Sequence, residues 1–322
     1  MNINRDASSV KKGNLFAVIV ILLMIVMNLG LSIIIKKYNI NFNSSTLTVL
    51  IHFICLVLPT IVYFIITKES VKEVLRLNKI SLKVVLNILL LAILIYPVII
   101  FLNLLSQLIF PNILVDAIQE ATSNMGFIPF ILMISVMPCI TEEITLRGVI
   151  LSNYDAINIK KAAIVTGFFF GAYHLNGNQF FYTFAIGFVM AYLVRITNSI
   201  FSSVLLHFTI NASNGLISYF TLKNMSEMQQ RATSTSLVDQ LGIVGVLSGV
   251  VVWGIIAFLF CKLIKKVLIK LDNICGRNIL GNVDRMARSD VKENKYIFNW
   301  AFFLITIVFV IYGIIPYILI YI

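Results

Sequence analysis

Three short groups of polar residues interrupt otherwise hydrophobic segments in the middle of the chain. Ionisable side chains inside apolar segments are energetically unfavourable, so they are functional candidates by default. In chain order the residues of the three groups are Glu142, Glu143, Arg147, Phe170, His174, His207 and Asn211. Carboxylate, imidazole and amide groups gathered in one place can activate water and stabilise a developing negative charge.

The two adjacent glutamates are expected to have different environments. Glu143 and Arg147 are four residues apart, so on a helix they share one face, with the acid on the favourable N-terminal side. Glu142 is rotated by about 100° from Glu143. We therefore expect Arg147 to neutralise Glu143 while Glu142 faces a cavity.

The histidine groups supply the other parts of a hydrolytic site. A carboxylate beside the histidines His174 and His207, in a partly desolvated pocket, can act as a general base towards water. His207 and Asn211 share a helix face, and both can donate hydrogen bonds to an oxyanion. These parts together suggest hydrolysis of an amide or an ester. Zinc held by Glu142, His174 and His207 from separate helices is the alternative.

The composition requires that membrane helices position these residues. The chain has 322 residues, 59% of them apolar and 12% charged, with a mean hydropathy of +0.96. Soluble domains are about 45–50% apolar and about 25% charged. A soluble enzyme, a disordered chain and a nucleic-acid-binding module are therefore excluded. The four cysteines lack metal-binding or C-x-x-C spacing, so neither a disulfide framework nor a zinc finger is indicated.

The hydropathy pattern predicts an all-α polytopic membrane bundle with eight or nine transmembrane helices. The candidate spans are 14–35, 46–67, 83–110, 127–151, 162–178, 179–197, 199–220, 240–261 and 297–321. The fifth and sixth are short, since a crossing needs about 20 apolar residues. We expect three parts: N-terminal spans in 1–126, a core carrying the polar groups in 127–220, and C-terminal spans with a basic loop in 221–322.

The net charge of +11 indicates how the chain is oriented. With nine spans, most lysines and arginines fall in one alternate set of loops, and this is the set that stays cytoplasmic in membrane proteins. The loops of the other set carry only Lys36, Lys37, Lys223 and Arg231. We therefore expect a multi-pass protein of the cell membrane with a cytoplasmic N-terminus.

The three motifs occur in a specific order on successive hydrophobic segments. Glu-Glu-x-x-x-Arg, Phe-x-x-x-His and His-x-x-x-Asn, spread over residues 127–215, resemble those of the CPBP family. These are the CAAX-protease and bacteriocin-processing membrane proteins, also called the Abi family, and they include the type II CAAX prenyl endopeptidases. The flanking spans carry no family motif.

The resemblance implies an intramembrane endopeptidase with an all-helical core and no cofactor, zinc again being the alternative. Glu142 would activate water with His174, and His207 and Asn211 would form the oxyanion pocket. Glu143, Arg147 and Phe170 would be supporting residues. The expected partners are the lipid bilayer and a membrane protein or lipid-modified, CAAX-like peptide, with no nucleic acid. A role in bacteriocin processing or self-immunity is also implied.

Other interpretations of these residues stay open at this point. A buried Glu–Arg pair can be structural, and histidines can hold helices together through hydrogen bonds. A proton-coupled transporter would use the same residues along a polar path to both faces, and a non-catalytic immunity or scaffold protein would only retain the fold. His52, on the second span, has no motif partner and is interpreted as an interior histidine.

Overall fold

The computed structural model describes residues 7–39, 44–110, 114–224, 237–277, 279 and 295–316. Within these ranges the regular elements are helices and no strand occurs. The main helices are α1 (Ala7–Tyr38), α2 (Ser45–Thr67), α3 (Val71–Val74), α4 (Leu82–Gln107), α5 (Leu114–Asn124), α6 (Phe127–Ile150), α7 (Ile159–Tyr173), α8 (Gly177–Thr197), α9 (Ile200–Lys223), α10 (Leu237–Ile274) and α11 (Trp300–Ile314).

Seven of these helices are long and apolar enough to cross a bilayer: α1, α2, α4, α6, α8, α9 and α10. The prediction of an all-α polytopic bundle is confirmed. The predicted span 162–178 corresponds to α7, which has only 15 residues, and the span 297–321 corresponds to α11. Residues 317–321 lie outside the described part of the chain. The predicted count of eight or nine crossings depends on these two shorter helices.

Helix α6 carries the glutamate pair and changes its hydrogen-bond pattern on both sides of it. Two π-helical segments, Leu132–Val136 and Ile144–Ile150, flank the α-helical turns Met137–Glu143. Pro138 is the second residue after the first π segment and has no N–H, so it cannot donate to the carbonyl of Ile134 four residues earlier. That carbonyl is left available for a donor from another helix.

A network of hydrogen bonds fixes the loop that joins α6 to α7. The Arg195 guanidinium, near the C-terminal end of α8, donates to the carbonyl oxygens of Tyr154, Asp155 and Ile157 at 3.0–3.3 Å. The carboxylate of Asp155 in turn pairs with the buried Arg76 side chain. The start of α7 is therefore held against the end of α8.

Helices α7 and α8 form a closely packed antiparallel pair, and glycine allows their close approach. A Cβ atom on Gly167 would lie 3.0 Å from the carbonyl oxygen of Phe184 and 3.0 Å from the amide nitrogen of Phe188. Small residues at such contacts let membrane helices pack backbone against backbone. This packing places the end of α7, with His174 just beyond it, beside α8.

We expect Gly167→Leu to destabilise the protein by about 1–3 kcal/mol, because the added side chain meets main-chain atoms that cannot move aside. The matched control is Gly30→Leu on α1, where an added Cβ would meet nothing within 4 Å. Thermal unfolding in detergent measures both variants. Equal midpoints for the two would show that α7 and α8 are not held at this separation.

Candidate active site

The centre of the site is a buried ion pair within α6. Arg147 Nη1 donates to Glu143 Oε1 at 3.0 Å, and both side chains are fully buried. The same carboxylate oxygen accepts a hydrogen bond from Nδ1 of His207 on α9, also at 3.0 Å. Arg147 further donates to the carbonyl oxygen of Gly187 on α8 at 3.3 Å. The i,i+4 pair predicted from the spacing is present, and it joins three helices.

Glu142 points to a different part of the site from Glu143. It lines a cavity of about 280 Å³, and its Oε2 lies 3.8 Å from Nε2 of His207. Arg147 contributes no ion pair to Glu142. The imidazole of His207 therefore stands between the two carboxylates. It is hydrogen-bonded to Glu143 and lies close to Glu142, which faces the cavity.

Phe170 on α7 contacts three of the other site residues. The Arg147 guanidinium carbon lies 4.4 Å from the centre of its ring, a cation–π arrangement. The rings of His174 and His207 meet it edge to face, with centroid distances of 5.1 and 5.7 Å. The phenyl ring thus packs against the Arg147 guanidinium and both imidazoles and supports all three.

His174 follows the last residue of α7 and is oriented by its own helix. Its Nδ1 lies 2.8 Å from the carbonyl oxygen of Phe170. A carbonyl oxygen only accepts hydrogen bonds, so Nδ1 carries the proton and Nε2 keeps a lone pair in the neutral ring. His174 also lines the cavity. It can therefore offer a proton acceptor there.

Asn211 is positioned by the carbonyl group that Pro138 leaves available. Its Nδ2 donates to the carbonyl oxygen of Ile134 at 3.2 Å. An amide NH₂ group has two donor hydrogens, so one remains for a second acceptor. Asn211 lies one helical turn after His207 and lines the same cavity. The structure therefore brings the four predicted catalytic residues to one cavity, which Phe170 also lines, whereas Glu143 and Arg147 lie outside its lining.

The zinc alternative requires ligands gathered around one point. Among the described residues, no group of three or more His, Cys, Asp or Glu side chains is arranged to hold a metal ion. Glu142, His174 and His207 are therefore not gathered around one metal position in this arrangement.

Sequence reasoning missed several residues of the site. His52 on α2, interpreted as an interior histidine without a partner, is hydrogen-bonded through Nδ1 to Oγ1 of Thr141, the residue before Glu142, at 2.9 Å. The cavity wall also includes polar residues of α8 and α9: Gln179, Thr183, Asn214 and Ser218. Gln179 and Thr183 are four apart, as are Asn214 and Ser218, so a polar face inside an apolar span was the available signal.

Comparison with known proteins agrees with the geometry. Residues 124–213 match the family model described as type II CAAX prenyl endopeptidase Rce1-like. The matched segment contains Glu142, Glu143, Arg147, Phe170, His174, His207 and Asn211. No curated protein and no solved structure matches the chain significantly. The predicted family is confirmed over this segment, whereas the boundaries at residues 126 and 220 stay a prediction.

We expect Arg147→Met to destabilise the protein by about 3–5 kcal/mol, because it leaves the Glu143 carboxylate buried without its counter-ion. The double variant Glu143→Gln/Arg147→Met removes both charges and should recover a large part of that loss. A double-mutant cycle on unfolding in detergent, with Glu143→Gln alone as the fourth member, measures the coupling. Additive effects would mean that the pair does not interact.

Proposed function

We propose that this chain is a glutamate-type intramembrane endopeptidase, because its residues 124–213 match the family model of Rce1-like type II CAAX prenyl endopeptidases. The observation that carries the proposal is the environment of Glu142. This carboxylate stands outside the Glu143–Arg147 pair and lines a cavity together with His174, His207 and Asn211.

Water activation is assigned to Glu142 and His174. Glu142 takes a proton from a water molecule, and Nε2 of His174 accepts the hydrogen bond from the second water hydrogen. The water oxygen attacks the carbonyl carbon of the substrate peptide bond, giving a tetrahedral oxyanion. General bases placed in this way contribute about 10²–10⁴-fold to a rate.

The oxyanion is assigned to His207 and Asn211. Since Nδ1–H of His207 is directed to Glu143, its Nε2 can donate only when the ring is an imidazolium. In that form His207 and Arg147 balance the charges of Glu142 and Glu143, so the buried cluster carries no net charge. The second hydrogen of the Asn211 amide is the other donor. Glu142 then passes its proton to the leaving amine nitrogen as the carbon–nitrogen bond breaks.

The substrate class follows from the family and from the bilayer. The described helices belong to a multi-pass membrane protein, so a substrate reaches the cavity from the membrane or its surface. We infer that the substrate is a membrane-associated protein or a lipid-modified, CAAX-like peptide. A bacteriocin precursor belongs to this class, and processing one is the biological role that the motif resemblance favours.

The orientation is part of the proposal. The distribution of basic residues favours a cytoplasmic N-terminus and location in the cell membrane. In this orientation the loop between α6 and α7 lies on the cytoplasmic side, as does the first turn of α7 with Lys160 and Lys161. Reporter fusions to successive loops would test the orientation directly.

We expect Glu142→Gln to lower kcat for peptide cleavage by about 10²–10⁴-fold, because the amide cannot accept the proton of water. Asn211→Ala should lower kcat by about 10²–10³-fold through loss of one oxyanion donor. The measurement is cleavage by the purified protein in liposomes, with a prenylated CAAX peptide, its unprenylated form and a set of membrane-protein substrates.

The matched control is Glu120→Gln, an exposed glutamate on α5, which should leave cleavage unchanged. Wild-type protein treated with a chelator should keep its activity. Loss of activity on chelation with recovery on adding zinc would replace the glutamate mechanism by a metal-dependent one. Cleavage that persists undiminished in Glu142→Gln would reject Glu142 as the base.

A further inference from the structure

A second and larger cavity lies away from the proposed active site. It measures about 880 Å³ and is enclosed by α4, α7, α8 and α10, and its lining residues differ from those of the catalytic cavity. Binding sites for small molecules typically measure about 300–1,000 Å³. We call it the α10 groove, because α10, which lies outside the family match at residues 124–213, forms one wall.

The α10 groove is apolar at one end and basic at the other. Along α8 it is lined by Phe184, Phe188 and Tyr192, which follow one another at four-residue spacing on a single helix face. The Gly167 contacts place the middle of α7 level with Phe184 and Phe188. Lys160, two turns earlier on α7, therefore lies near the Tyr192 end.

The wall formed by α10 also changes from apolar to charged residues along its length. Cys261 and Ile264 lie towards the apolar end, while Lys265 and Asp272 follow towards the end that carries the basic loops. The buried Asp272 carboxylate accepts a hydrogen bond from the amide of Ile279. The two lysine side chains are exposed and can reach a headgroup at the rim of the groove.

The groove is open to the side as well as at its basic end. Ile164 on α7 and Ile269 on α10 line it and are 49% and 41% exposed. A chain molecule could thus enter laterally from the hydrocarbon phase. Lys160 also stands in the first turn of α7, where a cation is unfavourable for the helix dipole.

We infer that the α10 groove binds an anionic phospholipid. Its acyl chains lie along Phe184 and Phe188, and its phosphate lies between Lys160 and Lys265. A lysine near a membrane surface attracts anionic lipid measurably, and the effect grows with each added lysine. The apolar part of the α10 groove matches the acyl chains of such a molecule, and the two ammonium groups at the basic end match its phosphate.

The test is native mass spectrometry of the full-length protein with phosphatidylglycerol or phosphatidylcholine of identical acyl chains. Wild-type protein should retain phosphatidylglycerol about tenfold more strongly than phosphatidylcholine. The double variant Lys160→Gln/Lys265→Gln should lose this preference. The matched control, Lys161→Gln/Lys266→Gln, removes the same charge from neighbouring positions that do not line the groove and should keep the preference.

A second variant tests the apolar part. Ala185→Trp places an indole in the slot, so it should reduce binding of both lipids while both lysines remain. Thermal unfolding of each variant verifies folding. If both double-lysine variants lost the preference for phosphatidylglycerol equally, the attraction would be a diffuse surface effect and the inference would be overturned. A wild-type protein without any preference for phosphatidylglycerol would overturn it as well. Displacement of phosphatidylglycerol by an equimolar farnesylated peptide would assign the groove to a substrate and also overturn it. These readouts are independent of proteolysis.

Discussion

The arrangement of this protein depends on burying the Arg147 guanidinium in a membrane bundle. Arg147 is the largest of the fully buried side chains, and an uncompensated charge there would be strongly destabilising. Its surroundings come from four helices: Glu143 on α6, Phe170 on α7, the carbonyl of Gly187 on α8, and, through the shared carboxylate, His207 on α9. The contacts with this one cation bring the helices of the site together. They also engage the Glu143 carboxylate, so Glu142 is the glutamate that faces the cavity.

The ion pair and the shared cavity could be predicted from sequence because they rest on local periodicity. Residues four apart on a helix must share a face, so the Glu143–Arg147 pair and the common face of His207 and Asn211 follow from spacing alone. The convergence of three polar groups on one cavity followed from their presence inside apolar segments.

Other features could not be predicted because they depend on contacts between distant parts of the chain. Hydropathy placed the fifth span at 162–178, whereas α7 starts after the Asn158 cap and ends at Tyr173, ahead of a left-handed Leu175. The partner of His52 is a threonine 89 residues away. The two π segments of α6 have no simple sequence signature beyond Pro138. Because these segments could not be predicted, the hydrogen bond from Asn211 to the Ile134 carbonyl could not be predicted either.

The π segments make the length of α6 as important as its composition. Each π segment accommodates an extra residue within a helix that otherwise repeats every 3.6 residues. If Leu132–Val136 took up regular α-helical winding with its residue count unchanged, everything that follows would rotate by about 100°. The glutamates would then turn away from α9, although every side chain of the motif would still be present. A one-residue deletion, by contrast, would be absorbed by the return to regular winding, so homologous chains without this π segment should be one residue shorter here and still keep the site.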